Sequence, residues 1–287
     1  MAPDEKFEEF GRNTACVHAV VFTPDGKSVV SASRDKSVRV WDIEKRQAWP
    51  QSLQVGGEAF ALAFDRDGGS LAVGSSDGKV TVVDYPALNV RAATDLKCLG
   101  VHALAYSPTV EALVAGTSGA GKAAYVLNPK SLERIATLRV DGDLVSCLAF
   151  SPDGTTLALG NSDATVRLWS TRTWQELTIL RGHKMHVTSV SYSPDGRRLA
   201  SGSWDATVRI WDIASRQELM ALTGHSSLVR AAVFSPSGRL LATSSWDGTV
   251  KLWSALPATN ALWIEPKGSL LTSPSPPVPL PAKSAQQ

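Results

Sequence analysis

The aromatic residues of this 287-residue chain recur on one spacing, and that spacing constrains the fold more than any other feature. Trp169, Trp211 and Trp253 are separated by 42 residues each, and Trp41 lies three such periods plus two residues before Trp169, with Val83 and Leu127 at the intermediate positions. A second ladder, Phe22, Phe64, Tyr106, Phe150, Tyr192 and Phe234, runs at separations of 42, 42, 44, 42 and 42. The two ladders define six units, and the two extra residues fall in the third.

Most of the second-ladder aromatics lead into a turn signal: Thr-Pro-Asp-Gly from 23, Ser-Pro-Asp-Gly from 151 and 193, and Ser-Pro-Ser-Gly from 235. Proline presets φ in such a turn and glycine relieves its last position. A small-residue strand follows, as in Leu199-Ala200-Ser201-Gly202-Ser203, then a tight Trp204-Asp205-Ala206 turn and the alternating Val208-Arg209-Ile210-Trp211. A further strand precedes the unit, as Leu177 to Leu180 or Leu219 to Leu222. Four short antiparallel strands cannot bury both faces of their own sheet, so consecutive sheets must stack around an axis.

Gly-His near the start of a unit, Trp-Asp or Trp-Ser at its end and Asp six residues before that Trp resemble the WD-repeat β-propeller family over roughly residues 6 to 254. The likeness is strong in repeats five and six, good in one and four, and weak in two and three. It implies an all-β propeller of six recognisable four-stranded blades, in a ring of six or seven. The repeats are expected at about 14–45, 55–86, 97–129, 141–170, 183–212 and 225–254, within a propeller domain over 14–254. Residues 1–13 read as an outer strand that closes the ring, with Phe7 and Phe10 aligned to Leu177 and Leu180. Ala261-Leu262-Trp263-Ile264 competes for the same offset, and 264–271 imitates 234–241, which leaves extra strands over 255–272 or a truncated seventh unit open. Residues 273–287, rich in proline and serine, read as a disordered tail, with groove binding by Pro276-Pro277-Val278-Pro279 as the alternative.

Two motifs imitate chemistry. The resemblance places His183, Ser203, Asp205 and Trp211 in the family's hydrogen-bonded tetrad, and His225, Ser245, Asp247 and Trp253 in a second copy. A Ser, a His and an Asp together invite a hydrolase reading. Duplication of the set, with partial copies at Ser33, Asp35, Trp41 and at Asn161, Asp163, Trp169, favours bracing of the sheets instead. Gly116 to Ala123 matches part of a phosphate-binding loop, but Ala123 replaces the magnesium-binding hydroxyl and Ala124 to Leu127 reads as strand, so a lengthened hairpin turn is expected. His183 and His186 form the single close histidine pair, one of them in the tetrad, so no metal or other cofactor is expected and no catalytic residue is assigned.

Composition narrows the partners. Lys and Arg at 29 against Asp and Glu at 27 leave a net charge of +2, too balanced for the positive field of a nucleic-acid binder. Cys16, Cys98 and Cys147 form no Cys-x-x-Cys pair or disulfide framework, and no run approaches the ~18 apolar residues of a membrane span. The expectation is a soluble, cytoplasmic protein, a monomer or a member of a hetero-complex, without nucleic acid or membrane.

Function is then expected at the surface. The resemblance implies binding on the narrower face around the central channel, at the position before the tetrad Asp and the two that flank the first apolar residue of the innermost strand. These are Cys16, His18 and Arg34; Glu58, Phe60 and Ser76; Leu144, Ser146 and Ser162; His186, Thr188 and Trp204; and Leu228, Arg230 and Trp246. Trp204 and Trp246 lie outside the core ladder, and Trp and Arg dominate protein–protein hot spots. The alternative is a tryptophan copied with its repeat or packed on its own loop. The expected function is a non-catalytic scaffold that presents one face to a partner protein. The other readings are a regulatory or sensing domain of a kinase- or ATPase-linked assembly and, last, an enzyme.

Overall fold

The computed structural model describes residues 12–119, 121 and 123–254, and all its regular elements are strands. The outer strand expected at the N-terminus, the alternatives over 255–272, the proline-rich tail and Lys122 lie outside the described residues, apart from Arg12 and Asn13. The strands form six antiparallel sheets, or blades, at residues 17–54, 59–95, 100–139, 145–181, 187–223 and 229–254. Five have four strands, and the sixth has three among the described residues. Blade five is typical, with strands Val187–Tyr192, Arg198–Ser203, Thr207–Asp212 and Gln217–Thr223 in that spatial order. The chain is a β-propeller of six recognisable blades.

Local chemistry sets the turns. After the first strand, Thr23 and Ser193 donate their hydroxyls to Asp25 and Asp195 at 2.6 Å. Gly26 and Gly196 close these turns at φ +68° and +71°, a region that glycine enters without strain.

Packing between blades decides the rest. Five apolar cores are each shared by two consecutive blades. Between blades four and five, Ala158, Val166, Leu168 and Leu180 on the forward face of one blade meet Val187, Val190, Tyr192, Leu199 and Trp211 on the backward face of the next. Burying one such Val or Leu side chain stabilises the fold by about 1.5–3 kcal/mol. With both faces covered, the second strand loses its alternation, and Ser70–Ser75 is buried throughout. A Cβ at Gly74, Gly116, Gly160 or Gly202 would come within 2.6 to 2.9 Å of the first valine of the following blade, so glycine there lets the blades close up.

Gly116 to Ala123 does not open a helix. Ala123–Leu127 is a buried strand paired with the strand before it, which fits the hairpin reading.

Candidate functional site

The tetrads differ from the sequence expectation in one member. In blade five the hydroxyl between the rings is that of Ser201: Trp211 Nε1–H donates to its Oγ at 2.8 Å, and that Oγ lies 2.8 Å from His183 Nε2. His183 Nδ1 stands 3.0 Å from Asp205 Oδ2. Thr243 takes this place in blade six, 2.9 Å from Trp253 Nε1 and 2.8 Å from His225 Nε2. Ser203 and Ser245, the expected members, instead donate to the carbonyls of Met185 and Ser227 and accept the amide N–H of Asp205 and Asp247. Positions 201 and 203 point to the same side of a strand, and the indole reaches only the one farther from the turn. Blade one repeats the pattern in part, with Trp41 Nε1 donating to Ser31 Oγ at 2.8 Å.

Blade four uses a different solution. Leu159 occupies the hydroxyl position, and the buried Trp169 Nε1 has no partner. Asp141, in place of the histidine, pairs with the buried Arg167, which also binds Glu176 at 2.9 Å and Asp163 at 3.4 Å. In blade five the carboxylate of Asp205 sits well below the usual aspartate range. Burial alone would raise it, but hydrogen bonds from His183, Thr207 and the Lys184 amide outweigh that effect. Ser201 and His183 are buried, so the constellation that imitates a hydrolase offers no open approach to a substrate.

The channel face is built by a recurrent irregularity. In all six blades the register of the first strand slips by one residue, leaving His18, Phe60, His102, Ser146, Thr188 and Arg230 without a paired Cα. A bulge re-aims its side chain, and successive first strands pack against one another from blade one to blade six. In blades one to three the re-aimed groups form a row: His18 meets Phe60 edge-on at 4.9 Å, and Phe60 stacks on His102 at 4.8 Å. His102 Nε2 lies 2.9 Å from Ser118 Oγ. In blades four and five the row turns inward, for Thr188 donates its hydroxyl to the carbonyl of Val229 at 2.6 Å and Ser146 to that of Val187. Thr188 is therefore tied to the next blade.

The turn positions lie against this row. The amides of Arg34, Trp204 and Trp246 donate to the carbonyls of Cys16, His186 and Leu228 at 2.8, 2.9 and 3.0 Å. Glu58 gathers Arg34 Nε at 3.1 Å and His18 Nε2 at 3.6 Å. His186 packs on Trp204 with ring centroids 4.8 Å apart, and its Nε2 is buried without a hydrogen-bond partner. Burial holds His102 and His186 below the ordinary imidazole value, and the Arg230 guanidinium adds to the effect at His186. Trp204 is 44% exposed and Trp246 74% exposed, and Arg230 is exposed as well. His102 and Ser118 escaped the sequence reading because repeat three is the least regular unit. Their 42-residue offset from Phe60 and Ser76 was the available signal.

No group of His, Cys, Asp or Glu able to hold a metal occurs among the described residues, and no helix there is long and apolar enough to cross a membrane.

The family model described as WD domain, G-beta repeat matches residues 6–42, 132–170, 174–212 and 216–254, more than half of the chain. Similar curated proteins include THO complex subunit 3 of Arabidopsis thaliana, 31% identical over 49% of this chain and 44% of that protein. Small ribosomal subunit protein RACK1y of Oryza sativa subsp. japonica is 29% identical over 55% of this chain and 48% of its own length. Serine-threonine kinase receptor-associated protein of Mus musculus is 28% identical over 59% and 47%, respectively. The chain spans about half or less of the length of the curated relatives it matches.

Proposed function

This chain belongs to the WD-repeat family, and on that basis we propose that it is a non-catalytic scaffold whose channel face binds a partner protein. The observation that carries the reading is the pair of exposed indoles, Trp204 and Trp246, at corresponding turns of neighbouring blades. An exposed indole adds little to the fold but has a large apolar area and one N–H to offer a partner. Arg230 and Leu228 stand at the bulge and strand start beside Trp246, giving the patch an apolar centre and a cationic edge. A partner segment with apolar side chains flanked by carboxylates fits that chemistry.

The names of the relatives support the reading. One is a complex subunit, one a ribosomal subunit protein and one a receptor-associated protein, so each name places its bearer in an assembly. The polar constellations most like catalytic groups are buried and mutually satisfied, which supports a non-enzymatic role. Three free thiols suit the reducing cytoplasm.

The test is capture of interacting protein by wild type and by a Trp204→Ala, Trp246→Ala double variant. Loss of capture at an unchanged melting temperature supports the reading, and full capture by the variant contradicts it.

A further inference from the structure

The channel mouth carries more positive than negative chemistry. In each blade it receives the bulged residue of the first strand, the residue two before it, and the residue before the tetrad Asp or its counterpart. Over six blades these positions hold His18, Arg34, His102, His186 and Arg230, against one carboxylate, Glu58. Glu58 is already spent on Arg34 at 3.1 Å and on His18 at 3.6 Å. The guanidinium of Arg230 is exposed and has no ion pair or hydrogen bond among the described residues. At the rim, the connections into blades four and five add Asp143, which has a partner of its own, and Lys184.

The unspent basic groups converge. The bulges turn His18, His102 and Arg230 off the strand ladder and onto the channel face. His18 and His102 flank Phe60, edge-on at 4.9 Å and stacked at 4.8 Å. A Cβ at Gly100 would come within 3.0 Å of His102 Nε2, so the glycine leaves that nitrogen room beside Ser118. A proton on His102 is repelled by one on His18 and by one on His186, so the imidazoles of blades one, three and five share one space across the channel. Arg230 reaches the same space from blade six, since its charge acts on His186 of blade five and on the Cys147 thiol of blade four. The other two histidines are held by Asp205 and Asp247 in the tetrads. A confined mouth lined by one sign of charge focuses its field on an arriving ion of the other sign.

We propose that the channel mouth is a carboxylate site: an acidic side chain of the partner protein enters it, pairs with Arg230, and is held more tightly as His102 and His186 take up protons. The site belongs to the channel face and rests on that face being the one that binds. Charge complementarity selects the occupant, because a planar guanidinium pairs with a carboxylate through two parallel hydrogen bonds and a basic side chain would be repelled. The sign of the pH effect follows from linkage. Both imidazoles are neutral at about pH 7.5, since burial holds them below the ordinary value. An anion in the mouth stabilises their charged forms, so binding takes up protons and affinity rises as pH falls. An Asp or Glu side chain of the partner stays largely ionised down to about pH 5, which sets the lower end of the window.

The test titrates the full chain with the peptide acetyl-Leu-Asp-Glu-Leu-amide, with its neutral counterpart acetyl-Leu-Asn-Gln-Leu-amide and with sodium sulfate, following the imidazole and indole resonances by NMR. Saturable binding of the acidic peptide is expected, about fivefold tighter at pH 5.5 than at pH 7.5, with the titrations of His102 and His186 moved upward at saturation. Arg230→Gln should weaken it about tenfold at both pH values, and His102→Gln should flatten the pH dependence. The upward movement of the two ring titrations is read in the wild type and needs no variant. No binding of the acidic peptide, equal binding at the two pH values, or equal binding of the neutral peptide overturns the proposal. Sulfate bound at the same rings as tightly as the peptide overturns it too, as a site for free anions. So do His102 and His186 titrating above the ordinary value in the chain alone, since an acid of the chain itself would then hold the mouth. Capture of the native partner separates the two readings. If Arg230→Gln captures it as the wild type does and the double tryptophan variant does not, the carboxylate site falls and the indole patch stands. Full capture by the tryptophan variant with loss in Arg230→Gln removes the indole patch and supports the carboxylate site.

Discussion

His183 Nδ1 and Asp205 Oδ2 lie 3.0 Å apart at the end of a chain of hydrogen bonds that begins at the indole of Trp211. The direction of the chain follows from what each group can do. The indole can only donate, and the carboxylate can only accept. Ser201 therefore accepts from Trp211, and His183 Nδ1–H donates to Asp205. Ser201→Ala removes the middle of this chain and leaves two buried groups without partners, a loss of about 2 kcal/mol in unfolding free energy. The indole N–H resonance of Trp211 should shift in Ser201→Ala and stay in place in Ser203→Ala. A shift only in Ser203→Ala would return Ser203 to the tetrad.

Trp169 provides the internal control. Its buried Nε1 has no partner, whereas that of Trp211 is bonded. Phenylalanine in place of either tryptophan removes a similar volume, but Trp169→Phe loses no hydrogen bond. Denaturant unfolding should find Trp211→Phe more destabilising than Trp169→Phe by about 1–3 kcal/mol.

Acid should loosen blade five through Asp205. Hydrogen bonds depress its folded carboxyl below the unfolded value of about 4. A depressed carboxylate adds stability that is fully present above the unfolded value and is lost as pH falls below it toward the folded value. The melting temperature should therefore fall between about pH 4 and pH 2, and Asp205→Asn should lower it at neutral pH while flattening that acid limb.

Much of this architecture was legible because it repeats. The 42-residue ladders located all six blades, including the second, which the family model does not match, and the third, of which it matches only the last strand. The tetrad hydroxyl was misplaced by two residues because Ser201 and Ser203 face the same side, and only the reach of the indole separates them. The channel row was partly hidden because strand alternation cannot announce a bulge that shifts His18, Phe60 and His102 out of register. The exposure of Val20 was not legible either, since Val20 and Val190 are the same residue type in the same position of the repeat, and only the surroundings of the strand make them differ.

The cysteines should separate by reactivity. Cys16 is exposed, while burial raises Cys98 and pushes the Cys147 thiol up to about 12. A thiol reagent at pH 8 should modify Cys16 within the mixing phase, Cys98 slowly, and Cys147 only on unfolding. Rapid modification of Cys147 in the native protein would contradict the packing between blades four and five.

Recognition through the channel face is tested most directly by crosslinking from defined positions. A photoreactive phenylalanine analogue would be placed at Trp246, in the turn between the second and third strands of blade six. A control would carry it at Arg172, in the turn at the opposite end of blade four. A discrete protein adduct is expected from position 246 and none from 172 in cells that express the full chain. Adducts from 172 with none from 246 would contradict it.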